Sequence, residues 1–108
     1  MQVHVGDEDT SVEATVGDSL VIALPENGTT GYQWNVSATG DAVVVDSDEF
    51  APPESGAPGA TGRRMVTLRA TRPGNAVVTM RLERPWETLA AKRRRLAVTV
   101  RPSPAGSA

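Results

Sequence analysis

Apolar and polar positions alternate with a period of two along most of the chain, as they do in strands with one buried face. Gln2 to Val5 is a short alternation of this kind, and Thr10 to Val16 puts Val12, Ala14 and Val16 on one face. Ser19 to Leu24 is almost continuously apolar. Bounded by Gly17 and Pro25, it is too short for a helix and suits a central strand. Gly31 to Ser37 carries Tyr32, Trp34 and Val36 at period two, and Ala42 to Val45 is a short apolar run. Further on, Met65 to Thr71 turns Val66, Leu68 and Ala70 inward. Asn75 to Glu83 does the same with Val78, Met80 and Leu82, and Leu96 to Val100 with Leu96, Val98 and Val100. Only Glu87 to Arg95 has room for a helical turn, and it lacks a cap.

About seven short strands with frequent turns predict an all-β fold, an Ig-like β-sandwich of antiparallel strands, with a partly open barrel as the alternative. The strands are expected at 10–16, 19–24, 31–37, 42–45, 65–71, 75–83 and 94–101. Residues 1–101 read as a single domain, and the Pro/Ser/Ala/Gly tail at 102–108 as disordered. Gly17-Asp18, the stretch from Ala38 to Asp41, and Arg72-Pro73-Gly74 are tight turns. The other connections, 25–30, 46–64 and 84–93, are longer and compositionally odd. If successive strands alternate in direction, these three share one end of the sandwich. Loops gathered on a rigid scaffold are where binding usually resides.

The composition narrows the chemistry. The 108 residues include no Cys and one His, with 11 Lys+Arg against 13 Asp+Glu. Without Cys there is no disulfide, thiolate nucleophile or Cys-ligated metal, and any Ser-His-Asp triad would depend on His4 alone. A net charge of -2 gives no overall pull toward nucleic acid or anionic membrane, so neither is expected as a partner. No apolar run approaches the roughly 20 residues that span a bilayer. No signal peptide opens the chain, which leaves a cytoplasmic protein or a trimmed secreted or periplasmic domain. An enzyme is not expected, nor a cofactor or metal, and monomer is the default state.

Several features have plain structural readings. Lys92 to Arg95 is a basic run best read as a solvated strand edge that blocks edge-to-edge pairing. Asp7-Glu8-Asp9 lacks calcium-loop spacing and reads as a solvated turn. A weak cation site at Asp46, Asp48 and Glu49 is a minority reading, and Glu83 with Glu87 would need a concave site to act as acid and base. Trp86, beside Arg84, is a combination typical of binding hot spots, with capping of the core as its structural alternative. Arg84 and Trp86 can also stack on each other.

Three segments, taken in order, resemble a known family. Asn27-Gly28-Thr29-Thr30-Gly31-Tyr32, followed by Trp34, is similar to the Asn-Pro-Thr-Thr-Gly-aromatic motif of the chagasin family of cysteine-peptidase inhibitors. Gly59-Ala60-Thr61-Gly62 resembles that family's Gly-rich central loop, and Arg84-Pro85-Trp86 its Arg-Pro-Trp loop. The likeness extends from about Thr10 to Arg101. It implies reversible, non-covalent inhibition of papain-like cysteine peptidases. The loop around Thr29 and Thr30 would enter the active-site cleft, and the other two loops would grip its sides. Two positions depart from the family pattern. Gly28 stands where Pro is usual, and Thr61 where a third Gly is usual. The alternative function is an Ig-like adhesion or ligand-binding module without inhibitory activity.

Overall fold

The computed structural model describes residues 1–27, 30–53 and 61–104. Eight strands form: β1 (Gln2–Val5), β2 (Ser11–Thr15), β3 (Ser19–Glu26), β4 (Gln33–Thr39), β5 (Val43–Ala51), β6 (Gly62–Ala70), β7 (Gly74–Glu83) and β8 (Lys92–Arg101). They make two four-stranded sheets, ordered β1-β3-β6-β5 and β2-β8-β7-β4. The inward residues of both sheets meet in one core, as the period-two reading expects. Leu20, Ile22, Val66, Leu68, Val78, Met80 and Leu96 are each fully buried, with Val98 and Val43 nearly so. This is the two-layer arrangement of an Ig-like sandwich.

The topology adds to the expected picture and corrects it in places. Gln2–Val5 is an eighth strand, and the sheets are not wholly antiparallel, because β1 pairs with β3 and β2 with β8 in parallel. Successive strands do alternate in direction. The parallel pairs arise because the N-terminal segment is divided between the two layers, one strand at an edge of each sheet. Gly17-Asp18 is a tight turn, with Asp18 N–H donating to Thr15 O at 2.9 Å, but it carries the chain from one sheet to the other rather than closing a hairpin. Of the three long connections only β5–β6 and β7–β8 join neighbours in one sheet, whereas β3–β4 crosses between layers.

The connection expected at 46–64 is shorter than expected. β5 continues to Ala51 and β6 begins at Gly62, paired residue for residue from Ser47↔Thr67 to Ala51↔Arg63. Asp46 to Ala51 shows no alternation because β5 is an edge strand, exposed from Val44 onward, with a register irregularity between Val45 and Ser47. No helical turn forms at 87–95, where turns lead directly into β8. The basic run lies at the start of β8, ahead of the segment that β2 covers, so its outer edge is open there. Arg94 closes that edge by donating to Gly6 O and Asp9 O. Residues 102–104 are exposed and outside any strand, and the remainder of the tail lies outside the described residues.

The expected gathering of loops is visible in the register. Glu26 lies opposite Gly62 and Ala51 opposite Arg63 in one sheet, while Gln33 lies opposite Glu83 and Leu82 opposite Lys92 in the other. The β3–β4, β5–β6 and β7–β8 connections therefore leave the same end of the sandwich. Leu68 sits at the centre of the core that supports them, with no exposure. Leu68→Ala is expected to lower the unfolding free energy by about 2–5 kcal/mol, read from the urea midpoint at unchanged slope.

Candidate functional site

Backbone geometry shapes the β3–β4 loop. Thr30 Oγ1 donates to Asn27 O at 2.9 Å, Thr30 N–H donates to the same carbonyl at 3.3 Å, and Thr30 Oγ1 accepts Tyr32 N–H at 3.3 Å. The hydroxyl thus closes a local turn, the usual role of Thr beside a bend. Gly31 follows with φ +81°, a left-handed conformation that L-residues with a Cβ rarely adopt. Gly28 and Thr29, the remainder of the expected tip, lie outside the described residues.

The stems of this loop are tied to one buried carboxylate. Glu26, the last residue of β3, is 4% exposed. Its Oε1 accepts Trp34 N–H from β4 at 2.7 Å and Arg64 Nε from β6 at 3.2 Å, and its Oε2 accepts Arg64 Nη2 at 2.8 Å. Arg64 Nη1 reaches on to Asp48 of β5 at 3.1 Å. The hydrogen bond to Glu26 is the main influence raising the Arg64 pKa above its ordinary value, with Asp48 adding to it against the cost of burial. Like any arginine, Arg64 keeps its charge beside the carboxylate. The indole N–H of Trp34 donates to Pro25 O at 2.8 Å, which fixes the second aromatic of the motif in the core rather than at the surface.

The β7–β8 loop folds against the first loop. The Arg84 guanidinium carbon lies 4.1 Å from the centre of the Tyr32 ring and 5.8 Å from that of Trp86. Its closest stacking partner is thus Tyr32, not the Trp86 suggested by sequence proximity. Arg84 Nη1 also pairs with Glu87 at 3.0 Å, within the same loop. Its buried Nε has no hydrogen-bond partner among the described residues. Trp86 does not cap the core. It is 70% exposed and stands over Gly31, where a Cβ would meet Trp86 Cη2 at 2.8 Å. Pro85 is exposed between the two.

The central loop is described only at its ends. Pro52, Pro53 and Thr61 flank it, and Gly59 and Ala60 lie outside the described residues. Gly62 is the first residue of β6 and is buried. A Cβ there would meet Ala51 O at 2.5 Å and Phe50 Cζ at 2.7 Å, so this position serves close packing of the two strands rather than an exposed tip. An open cleft of about 380 Å³ lies between the β3–β4 loop and the adjoining ends of β5 and β6, lined by Glu26, Gly31, Tyr32, Gln33, Phe50 and Arg64.

The structure therefore brings together Asn27, Thr30, Gly31, Tyr32, Arg84, Pro85 and Trp86, and places Thr61 and Gly62 on the stem of the loop beside them. Several residues at this end were not visible as candidates in the sequence. Leu89 is 75% exposed in the same loop as Trp86, and Phe50 lies at the end of an unexpected strand. Glu26 and Arg64 are 38 positions apart, with no local pattern to connect them. The acidic positions considered for a cation are occupied otherwise, Asp46 by Arg69 at 3.3 Å and Asp48 by Arg64. Glu83 accepts from Asn35 at 2.7 Å and pairs with Arg81, and Glu87 pairs with Arg84, so these two carboxylates hold loop stems.

The sandwich thus presents an exposed aromatic and a hydrogen-bonded loop at one end, the arrangement that proteins binding through their loops display. The matches to known proteins state which kind. The profile of the chagasin family of peptidase inhibitors, I42, matches residues 13–100, and the chain belongs to that family. It is a cysteine-peptidase inhibitor and not an enzyme. Amoebiasin-2 from Entamoeba histolytica is 26% identical over 83 residues, covering 75% of this chain and 68% of the relative. The crystal structure of the cysteine protease inhibitor EhICP2 from Entamoeba histolytica superposes with a TM-score of 0.78 at 23% identity, over 93% of this chain and 94% of that one. The structure of PbICP-C in complex with falcipain-2 matches with a TM-score of 0.62 at 14% identity, over 94% and 98% of the two chains.

Two of the four glycines with positive φ among the described residues, Gly17 and Gly31, sit in different surroundings and allow a test of the contact between loops. Gly17 has φ +97° and open space around its Cβ position, whereas Gly31 has φ +81° and the Trp86 ring. Gly17→Ala is expected to cost about 1–2 kcal/mol of stability from backbone strain alone. Gly31→Ala is expected to cost at least as much and also to displace Trp86, read by urea denaturation together with the change in Trp86 fluorescence in a Trp34→Phe background.

Proposed function

We propose that the β3–β4, β5–β6 and β7–β8 loops form a single wedge that occludes the cleft of a papain-like peptidase reversibly and without a covalent bond. Asn27, Gly28, Thr29, Thr30, Gly31 and Tyr32 form the part that enters beside the catalytic thiolate. Gly59, Ala60 and Thr61, followed by the buried Gly62 that starts β6, take one wall of the cleft, and Arg84, Pro85 and Trp86 the other. The observation that carries this reading is the seat of Trp86 on Gly31, which makes the first and third loops one continuous surface.

The chemistry is consistent with that role. An inhibitor of a narrow cleft must fill it without presenting an extended, cleavable bond to the nucleophile. A tip of Gly and Thr is slim, and the left-handed turn at Gly31 bends the backbone away from a substrate-like path. Trp86 supplies large contact area at a low cost in side-chain entropy. Leu89, exposed beside it, extends the apolar contact. PbICP-C, which shares the fold, has been seen in complex with falcipain-2.

Titration of papain with the purified chain is expected to reach a one-to-one end point. Because Trp86 is largely exposed, Trp86→Ala is expected to keep the fold while losing about 2 kcal/mol or more of binding, roughly a thirtyfold rise in the inhibition constant. A folded Trp86→Ala variant that inhibits as well as the parent protein would refute the wedge.

A further inference from the structure

Among the described residues only Asp18 and Glu26 are buried and carry ionisable side chains in the interior. Asp18 has a local purpose, since its Oδ2 accepts Thr15 N–H at 2.9 Å in the β2–β3 turn and its Oδ1 pairs with the N-terminal amine at 3.4 Å. Glu26 has no such turn to close. Its carboxylate leaves water at the opposite end of the sandwich, against a guanidinium that is itself only 12% exposed. Pairs of this kind contribute little to stability compared with apolar side chains of similar volume, because both charges lose their hydration. Stability alone is therefore a weak reason for the pair.

Its geometry offers a better one. The carboxylate touches both stems of the β3–β4 loop, Glu26 itself and the Trp34 amide, although these belong to different sheets. Through Arg64 it also touches both stems of the β5–β6 connection, β6 directly and β5 through Asp48. Four strand ends are thus referred to one charge pair. Arg64 also lies over the Phe50 ring, its guanidinium carbon 5.8 Å from the ring centre, and both line the cleft beside the β3–β4 loop. The β3–β4 loop contains Gly28 and Gly31, so little in its own sequence restrains it.

We propose that Glu26 and Arg64 act as positioning residues that hold the stems of the β3–β4 and β5–β6 connections at a set separation before the peptidase arrives. The assignment rests on the reading that these loops meet the peptidase, and it goes beyond that reading by naming what preorganises them. Loops ordered in advance do not have to be ordered on binding, and that saving appears as affinity. The pair would thus act on inhibition through the geometry of Thr30 to Tyr32, without touching the peptidase.

The test replaces the pair by apolar side chains, Glu26→Met with Arg64→Met, and compares it with Glu26→Gln and with Trp86→Ala. Three quantities are read: the urea midpoint, the backbone order parameters, and the inhibition constant for papain. The double variant is expected to stay folded, with a urea midpoint lowered by the loss of the acceptor for the buried Trp34 amide. Its order parameters at Gly31 and Tyr32 are expected to fall below about 0.6 while β7 and β8 stay near about 0.85. Its inhibition constant is expected to rise about tenfold, the equivalent of about 1.4 kcal/mol. Glu26→Gln, which keeps an acceptor for the Trp34 amide, is expected to lie between parent and double variant, and it carries the test if the double variant does not fold. A folded variant with unchanged order parameters at 31 and 32 would overturn the proposal. So would a loss of inhibition matched by loosening throughout β7 and β8. If the parent protein does not inhibit papain, the wedge fails, yet the order parameters still decide whether the pair positions the loops.

Discussion

The chain has to cross from one sheet to the other between Glu26 and Gln33, and the binding end depends on how that crossing is held. A crossing between layers has no strand ladder to fix it, unlike the β5–β6 and β7–β8 connections, which continue paired strands. The Glu26 carboxylate supplies the missing link, with one oxygen accepting from a strand in each sheet. Trp34 strengthens the same junction from the core, its indole N–H returning to Pro25 O. The cross-sheet link is thus made of a charge-assisted contact, a backbone amide and an anchored aromatic. Each is individually worth about 1–3 kcal/mol at most.

On this base the loops lean on one another. Gly31 has no side chain, and that absence lets the Trp86 ring lie against its backbone. Tyr32 in turn receives the Arg84 guanidinium, which is held at its other side by Glu87. Contacts of this sort, formed within the free inhibitor, leave the outer faces of Trp86 and Leu89 unsatisfied by the protein itself. Exposed aromatic and aliphatic surface on an otherwise polar end is costly in water and favourable in a partner's cleft. The same contacts that reduce the freedom of the loops thereby concentrate the apolar surface where a partner can use it.

The core was legible in the sequence because burial on one face of a strand leaves a period of two. Val66, Leu68 and Ala70 in β6, and Leu96, Val98 and Val100 in β8, all point inward as the alternation requires. The gathering of three loops at one end followed from alternating strand direction alone. What was not legible is non-local or lacks a buried face. The Asp46–Ala51 half of β5 is exposed on both faces, so its residues carry no alternation and read as loop. Gly62 resembles a loop glycine in sequence but is needed where two strands approach closely. Arg64 falls in the connection expected at 46–64, just ahead of the expected strand, and only the fold shows that it lies in β6 with Glu26 as its partner. The closer stacking of Arg84 on Tyr32, beside its longer contact with the near neighbour Trp86, is equally a product of loops meeting in space.

The glycine at position 28, where the family usually has proline, can be weighed against these restraints. Exchanging proline for glycine adds chain freedom worth about 0.4–1 kcal/mol. A rigid tip can be obtained from the residue itself, through a fixed φ, or from contacts around it. In this chain the second route is well populated. The Thr30 hydroxyl ties back to Asn27 O, Gly31 lies beneath Trp86, and both stems end on the Glu26 carboxylate. One hydrogen bond of ordinary net strength, about 0.5–1.5 kcal/mol, is enough to offset the freedom that glycine brings. The inhibitor's order is then carried by tertiary contacts more than by the local stiffness of its motif. On the proposed reading, substitutions at the stems and in the facing loop are then expected to influence binding alongside changes at the tip itself.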